Sequence, residues 1–152
     1  MTNHGHHDHP NDDAVLDAVG PAFSRLRRRT PSSGKDLSRN LVLNVVSERP
    51  GETTVGAVAE ELGMDQSVAS RMVSDCIKQG YLLREASQQD GRRIVLRLTP
   101  AGEDLRTRFA AEQRQGFEHI TADWPAEERL QFARLLVKYA EAAAALRKRE
   151  QG

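Results

Sequence analysis

Gly63 and Gly80 constrain this chain more than any other pair of residues. Each closes a short helical pattern: "TTVGAVAEELG" (53–63) behind a threonine cap, and "MDQSVASRMVSDCIKQG" (64–80) behind an aspartate cap, Asp65. Glycine at a helix end adopts the left-handed conformation that stops the helix and turns the chain at low steric cost. Two short helices joined only through Gly63-Met64 have to cross closely, and Ala59 puts a small side chain where the crossing falls. The segment therefore reads as a helix-turn-helix.

The second helix has two unlike faces. At about 100° per residue, Ala69, Met72, Val73, Cys76 and Ile77 share one side, and Ser67, Ser70, Arg71, Ser74 and Lys78 share the other. The outward set is hydroxyls and cations, almost without bulk or acid. A merely solvated face ordinarily mixes Glu, Lys and Gln of both signs. Short donors beside an arginine suit a helix lodged in a major groove, where base edges and phosphates are approached closely. Gln66 and Ser67 occupy the first turn, the part of such a helix that is aimed at bases. Asp65 is expected to act as the cap, and Asp75 to pair with Arg71 or to point away.

Two alternating strands follow at about 81–86 and 94–99, with Leu96 and Leu98 facing one way and Val95 and Arg97 the other. Between them "QQDGRR" (88–93) places an Asp-Gly turn and two arginines in a loop spanning 87–93. Narrow minor grooves concentrate negative potential, and an arginine on a projecting loop can enter one. Asp90, two residues before Arg92, is placed to orient that guanidinium through a paired hydrogen bond, and Arg93 adds a second cation. The other use of such charge is to keep a hairpin soluble. Directly after a groove-facing helix, the loop reads as a second contact to DNA.

The rest of the chain is helical in pattern. Its 152 residues suffice for one domain with a real core. Residues 1–12 are polar, hold four of the five histidines, and are expected to form a disordered arm. From Asp13, Leu16, Val19, Phe23 and Leu26 recur at helical spacing, with Gly20-Pro21 expected to kink or restart the helix. "TPSSGK" (30–35) reads as a loop and 37–48 as a helix. Thr99-Pro100 starts a helix that runs to about His119. The strongest helix falls within 122–150 and carries Leu130, Phe132, Leu135, Leu136, Tyr139, Ala143 and Leu146.

The fold class is mainly α with a small β-hairpin. The organisation is an arm at 1–12, a helical region made of 13–35 and 100–150, and a helix-turn-helix with its hairpin at 36–99. The terminal helices are more apolar than one small domain requires, so they are expected to pack against a partner. A monomeric bundle that covers itself is the alternative.

Basic and acidic residues balance at 22 each, which excludes a protein that coats nucleic acid by bulk charge and leaves room for local patches. "RLRRR" (25–29), with Lys35 and Arg39, either reaches flanking phosphates or forms the soluble end of a helix. The longest apolar runs are too short to cross a bilayer and no leading apolar segment resembles a secretory signal, so a cytoplasmic protein without a membrane partner is expected. Cys76 is the single cysteine, which excludes an internal disulfide; its apolar neighbours place it inside, where thiols are usually inert.

The stretch "VGAVAEELGMDQSVASRMVSDCIKQGYLLREASQQDGRRIVLRLTPAGEDL" (55–105) resembles the winged helix-turn-helix of the MarR family of bacterial transcription regulators. Its most specific part is "DGRRIVLRLTPAG" (90–102), because that family's wing reads Asp-x-Arg, then an alternating strand, then Thr-x-x-Gly. The resemblance implies a homodimer held by N- and C-terminal helices, recognition by the helix at 66–79, and minor-groove insertion by Arg92. Ala69 stands where family sequences usually carry valine and Cys76 where leucine is common; residues 1–12 lie outside the likeness.

The expected function is a ligand-responsive repressor that binds double-stranded DNA at a pseudo-palindromic operator as a homodimer. A small-molecule effector is expected in an apolar pocket in the crevice between the dimer helices and the winged region, with no contact residues assigned. No catalytic set and no cofactor motif is visible, and His119 has no evident nucleophile beside it. Two other readings stay open. One is a winged helix turned to protein docking. The other is a metal-responsive regulator using "HGHHDH" (4–9), whose His4, His6, His7 and His9 have a metal-binding composition. If Met1 is removed, the Thr2 amine and His4 could also hold Cu(II) or Ni(II) in a square plane; a tail that binds metals adventitiously is the plainer alternative.

Overall fold

The structure, a computed structural model, describes residues 10–28 and 34–150. Among the described residues, seven helices and one hairpin follow in the order α1 (Pro10–Asp17), α2 (Val19–Arg28), α3 (Gly34–Glu48), α4 (Val55–Leu62), α5 (Gln66–Lys78), β1 (Leu82–Ala86), β2 (Ile94–Leu98), α6 (Pro100–Ile120) and α7 (Ala126–Glu150).

Pro21 decides where the first two helices part. Proline has no N–H to donate to the carbonyl four residues back, and its ring crowds that carbonyl, here Asp17. The chain accordingly turns at Ala18, ahead of the expected break at Gly20-Pro21, with the Ala18 amide bonded to the Val15 carbonyl at 3.2 Å and the Ala22 amide to the Ala18 carbonyl at 3.0 Å. Two sequence expectations are corrected nearby. Residues 10–12, assigned to the disordered arm, are helical: α1 starts on Pro10, and Asp12 and Asp13 put negative charge at its N-terminal dipole. Likewise Gly34 and Lys35, assigned to a loop, already belong to α3.

The core is formed by α3, α4, α5, the hairpin and α6. Val42 and Leu43 of α3, Val58 of α4, and Ala69, Val73 and Cys76 of α5 are fully buried, with Leu82, Leu96 and Leu105 closing round them. The crossing of α4 and α5 is secured by the cap chemistry legible in the sequence. Thr54 accepts a hydrogen bond from the Ala57 amide, and Gly63 ends α4 at φ 62° while the Met64 amide returns to the Ala59 carbonyl at 3.0 Å.

The hairpin strands pair antiparallel with Leu82 opposite Leu98 and Arg84 opposite Leu96. Leu96 is buried and Leu98 half-buried on the core side, as the alternation predicts. Val95, on the other face, is buried as well, which the alternation does not predict. Beside it, Thr53 forms a one-residue bridge to Leu96, whose amide bonds the Thr53 carbonyl at 2.8 Å. The wing is thus held to the chain before α4.

Thr99 caps α6, accepting from the Gly102 amide at 3.1 Å and donating to the Gly80 carbonyl at 2.6 Å. Gly102 is required there by space: a Cβ would stand 2.2 Å from the Tyr81 carbonyl oxygen. The junction of α5, β1 and α6 can therefore close without a gap. By contrast α7 buries no residue. It meets the rest of the chain through aromatic pairs, Phe132 with Phe117 at 6.1 Å and with Trp124 at 5.6 Å, and Tyr139 with Phe23 at 5.6 Å. Among the described residues, no helix is long and apolar enough to cross a membrane.

Candidate nucleic-acid interface

The two faces of α5 separate as their periodicity predicts. Ala69, Val73 and Cys76 are buried and Met72 and Ile77 half-buried against the core, which fixes the rotation of the helix about its axis. That rotation leaves Gln66, Ser67, Arg71, Ser74 and Lys78 exposed, with Ser70 half-buried at the margin. Arg71 and Lys78 form no ion pair among the described residues. Gln66 lies at the helix start over α4, its Oε1 3.6 Å from where a Cβ on Gly56 would stand.

Of two carboxylates beside this face, Asp65 departs from expectation and Asp75 takes the second of its two expected courses, turning away from Arg71. Asp65 occupies the N-cap position in extended backbone, but its side chain makes no capping hydrogen bond; its carbonyl accepts from Val68 and Ala69 instead. Asp75 pairs not with Arg71 but with Arg39 of α3, whose Nε donates to Oδ2 at 2.7 Å and Nη2 to Oδ1 at 3.3 Å. The hydrogen bond to Asp75, followed by its charge, raises the Arg39 pKa above the ordinary value. Arg39, expected among the phosphate-reaching cations, is thereby committed inside the protein. Arg25 is exposed, and the side chains of Arg27, Arg28, Arg29 and Lys35 lie outside the described residues.

The wing tip is built from Ser87. Its amide bonds the Arg93 carbonyl at 2.8 Å, and its hydroxyl accepts from the Gln89 and Asp90 amides at 3.1 and 2.9 Å. The same hydroxyl donates to the Glu52 carboxylate, which also takes the Gln88 amide at 2.7 Å. These bonds, the Ser87 one foremost, lower the Glu52 pKa. Asp90 does not hold the Arg92 guanidinium as expected. Its carboxylate accepts the Arg92 backbone amide at 3.1 Å, while its carbonyl takes the Arg93 amide at 2.9 Å. Short Asp side chains close such local rings readily, which is why they populate turns. The consequence is a shaped loop whose Asp90, Arg92 and Arg93 are all exposed.

An exposed cationic helix and an arginine-tipped hairpin on one small core define a winged helix, and residues 36–93 match the sequence model that defines the MarR family. The winged-helix segment is thus similar to that of the MarR family. Among solved structures, the chain is similar to a MarR family transcription regulator with a TM-score of 0.66 and 21% identity, covering 91% of this chain and 95% of that one. It is also similar to the PcaV transcriptional regulator of Streptomyces coelicolor, with a TM-score of 0.53 and 28% identity over 90% of this chain and 98% of that one. A MarR family protein from Bacillus stearothermophilus aligns with a TM-score of 0.62 and 17% identity over 88% and 93% of the two chains. Among curated proteins no sequence matches.

Beside the winged region, a crevice of about 380 Å³ opens between α3 and α6, lined by Asn40, Asn44, Glu48, Glu103, Arg106 and Gln113 among others. Arg106 spans it, donating to Asn44 at 3.0 Å and to both Glu103 oxygens at 2.9 Å. Most of its lining side chains are polar, with Ala110 among them. Cys76 is fully buried, and burial pushes its thiol up to about 11, so it is held as an un-ionised thiol at neutral pH. His119 is exposed in the last turn of α6. His4, His6, His7 and His9 lie outside the described residues. Sequence reasoning missed Glu52 and Ser87 and gave Arg39 a different role. Ser87 at the loop mouth is the only one with a local signal, a hydroxyl placed to cap a turn; the other two act across more than thirty residues of sequence.

Proposed function

We propose that the chain is a sequence-specific DNA-binding transcription regulator, acting as a homodimer on a pseudo-palindromic operator and released from it by a small-molecule effector. The observation that carries this reading is the pairing of two exposed cationic elements. Gln66, Ser67, Ser70, Arg71, Ser74 and Lys78 on α5 would read the major groove, and Arg92, with Arg93 beside it, would enter the adjacent minor groove. Among the described residues, no ion pair consumes their cations. Asp90 acts here as the residue that shapes the tip.

A second copy of the chain accounts for the apolar surface of α1, α2 and α7. Leu16, Phe23, Leu26, Leu135, Leu136 and Tyr139 are all at least 38% exposed, more contiguous apolar surface than a soluble helix pair retains without a partner. For the effector, the α3–α6 crevice is the candidate place. PcaV, at 26% identity, has been solved in complex with its natural ligand. In this chain, a compound seated against Asn40, Asn44 and Arg106 would bear on α3, and through α3 on α5. Binding that favours one separation of the two recognition helices lowers operator affinity by shifting populations.

The test is selection of genomic fragments by the purified protein, followed by salt titration on the best site. Each phosphate contact contributes close to one unit of log–log slope, so several contacts give a steep decline. Arg71→Ala should relax base preference at a cost of about 1–3 kcal/mol, and Arg92→Ala should weaken binding chiefly where the flanks are rich in A·T. Equal affinity for all sequences defeats the reading.

A further inference from the structure

Three consecutive residues ahead of α4 each grip a different element. The Glu52 carboxylate takes the Ser87 hydroxyl and, at 2.7 Å, the Gln88 amide, both at the wing tip. The Thr53 carbonyl takes the Leu96 amide of β2 at 2.8 Å, and the Thr54 hydroxyl caps α4 by accepting from Ala57 at 3.1 Å. The tip is thereby tied to α4, and through the packing of α4 to α5. Ser87 makes the tie rigid. It is 5% exposed, its hydroxyl accepts the Gln89 and Asp90 amides while donating to Glu52, and its amide holds the Arg93 carbonyl. Both legs of the loop therefore end on Glu52 through one buried residue. The backbone amides of Arg92 and Arg93 are fixed in turn by Asp90, while their side chains stay exposed. A two-stranded hairpin is marginal by itself. An unbraced tip would have to be ordered at the moment of binding, which lowers affinity, whereas hydrogen bonds to a carboxylate order it beforehand.

We propose that Glu52 is a positioning residue of the DNA interface: through Ser87 and Gln88 it fixes the direction in which Arg92 and Arg93 leave the body, and so their offset from the α5 face. The inference rests on the reading of α5 and the wing as the two DNA contacts. Charge alone gives the opposite expectation. Glu52 lies within electrostatic reach of Arg93, so an acid acting only by its charge would repel phosphate, and its removal would tighten binding. The sign of the effect therefore separates a brace from a stray acid.

The test uses the full-length protein and its best genomic fragment, with affinity measured at fixed salt on A·T-rich and on G·C-rich flanks. Glu52→Ala and Glu52→Gln are each made in the wild-type chain and in one carrying Arg92→Ala with Arg93→Ala. Glu52→Ala is expected to weaken binding to A·T-rich flanks about five- to tenfold. Glu52→Gln keeps an acceptor for the Gln88 amide but not for the Ser87 hydroxyl, and is expected to lose about threefold; it decides the matter if Glu52→Ala does not fold. In the chain without the wing arginines, either change is expected to cost less than about twofold, because nothing is left for the brace to aim. Tighter binding by both Glu52 variants would show a charge effect and overturn the proposal. So would an equal loss in the arginine-free chain, which would mark a general anchor of the fold. A wild-type protein that retains no fragment overturns the regulator reading itself, and this proposal with it.

Discussion

The segment from α3 to β2 and the terminal helices α1, α2 and α7 solve the problem of apolar surface in opposite ways. The first is self-sufficient: Val42, Leu43, Val58, Val73 and Leu82 are at most 2% exposed, and every helix in it is locked to its neighbours by a cap, a bridge or an ion pair. The second leaves its apolar residues in view, with Leu16 at 67%, Leu26 at 66% and Val137 at 57% exposed, and no buried residue anywhere in α7. One region owes its order to its own core. The other has the composition of half a core, and its order depends on what covers it.

The largest effect that separates the two should come from Leu43→Ala, which opens a cavity at the centre of the winged region. A loss of about 3–4 kcal/mol is expected, read by chemical denaturation, and it should not vary with protein concentration. Exposed Leu135 and Leu136 should behave the other way. In an isolated chain their replacement by serine would be nearly neutral. If a second copy covers them, the pair Leu135→Ser and Leu136→Ser should cost about 2 kcal/mol of concentration-dependent stability and shift the sedimenting species towards monomer. A double variant of unchanged mass and melting behaviour would break the comparison, because α7 would then be stable uncovered.

The smallest effect sharpens the description of the winged core. In the folded chain the Cys76 thiol is raised to about 11 from 9.0, so the unfolded chain loses its proton first. The stability this contributes is fully present below about pH 9 and is lost as pH rises through about 11, amounting to about 1 kcal/mol by pH 10. Comparing wild type with Cys76→Ala between pH 8 and pH 10 isolates that slope from other titrating groups. Equal slopes, or rapid alkylation of native Cys76 at pH 8, would mean that α5 opens to solvent more freely than its packing indicates.

The alternation on α5 was legible because burial follows a period that can be counted: Ala69, Val73 and Cys76 against Ser67, Arg71 and Ser74. The caps at Thr54, Gly63 and Thr99 were legible for the same reason, since each depends on residues within a few positions of one another. Charge pairing was not. Asp75 had two cations within one turn and took a third, Arg39, thirty-six residues away, while Asp90 turned from a guanidinium to a backbone amide. Periodicity says which way a side chain points, but not which of several competing partners is already held in place.

What the sequence determined by itself is therefore local: two short helices stopped by glycines, a hairpin with an arginine tip, and a helix with one greasy and one hydroxyl-rich side. Only the tertiary structure decided which cations stay available to a ligand, how Glu52 and Ser87 brace the wing, and that Gly102 must be bare beneath the Tyr81 carbonyl. Those outcomes depend on distances between segments remote in sequence, and the entropy of bringing them together is met by the whole core rather than by any one stretch of it.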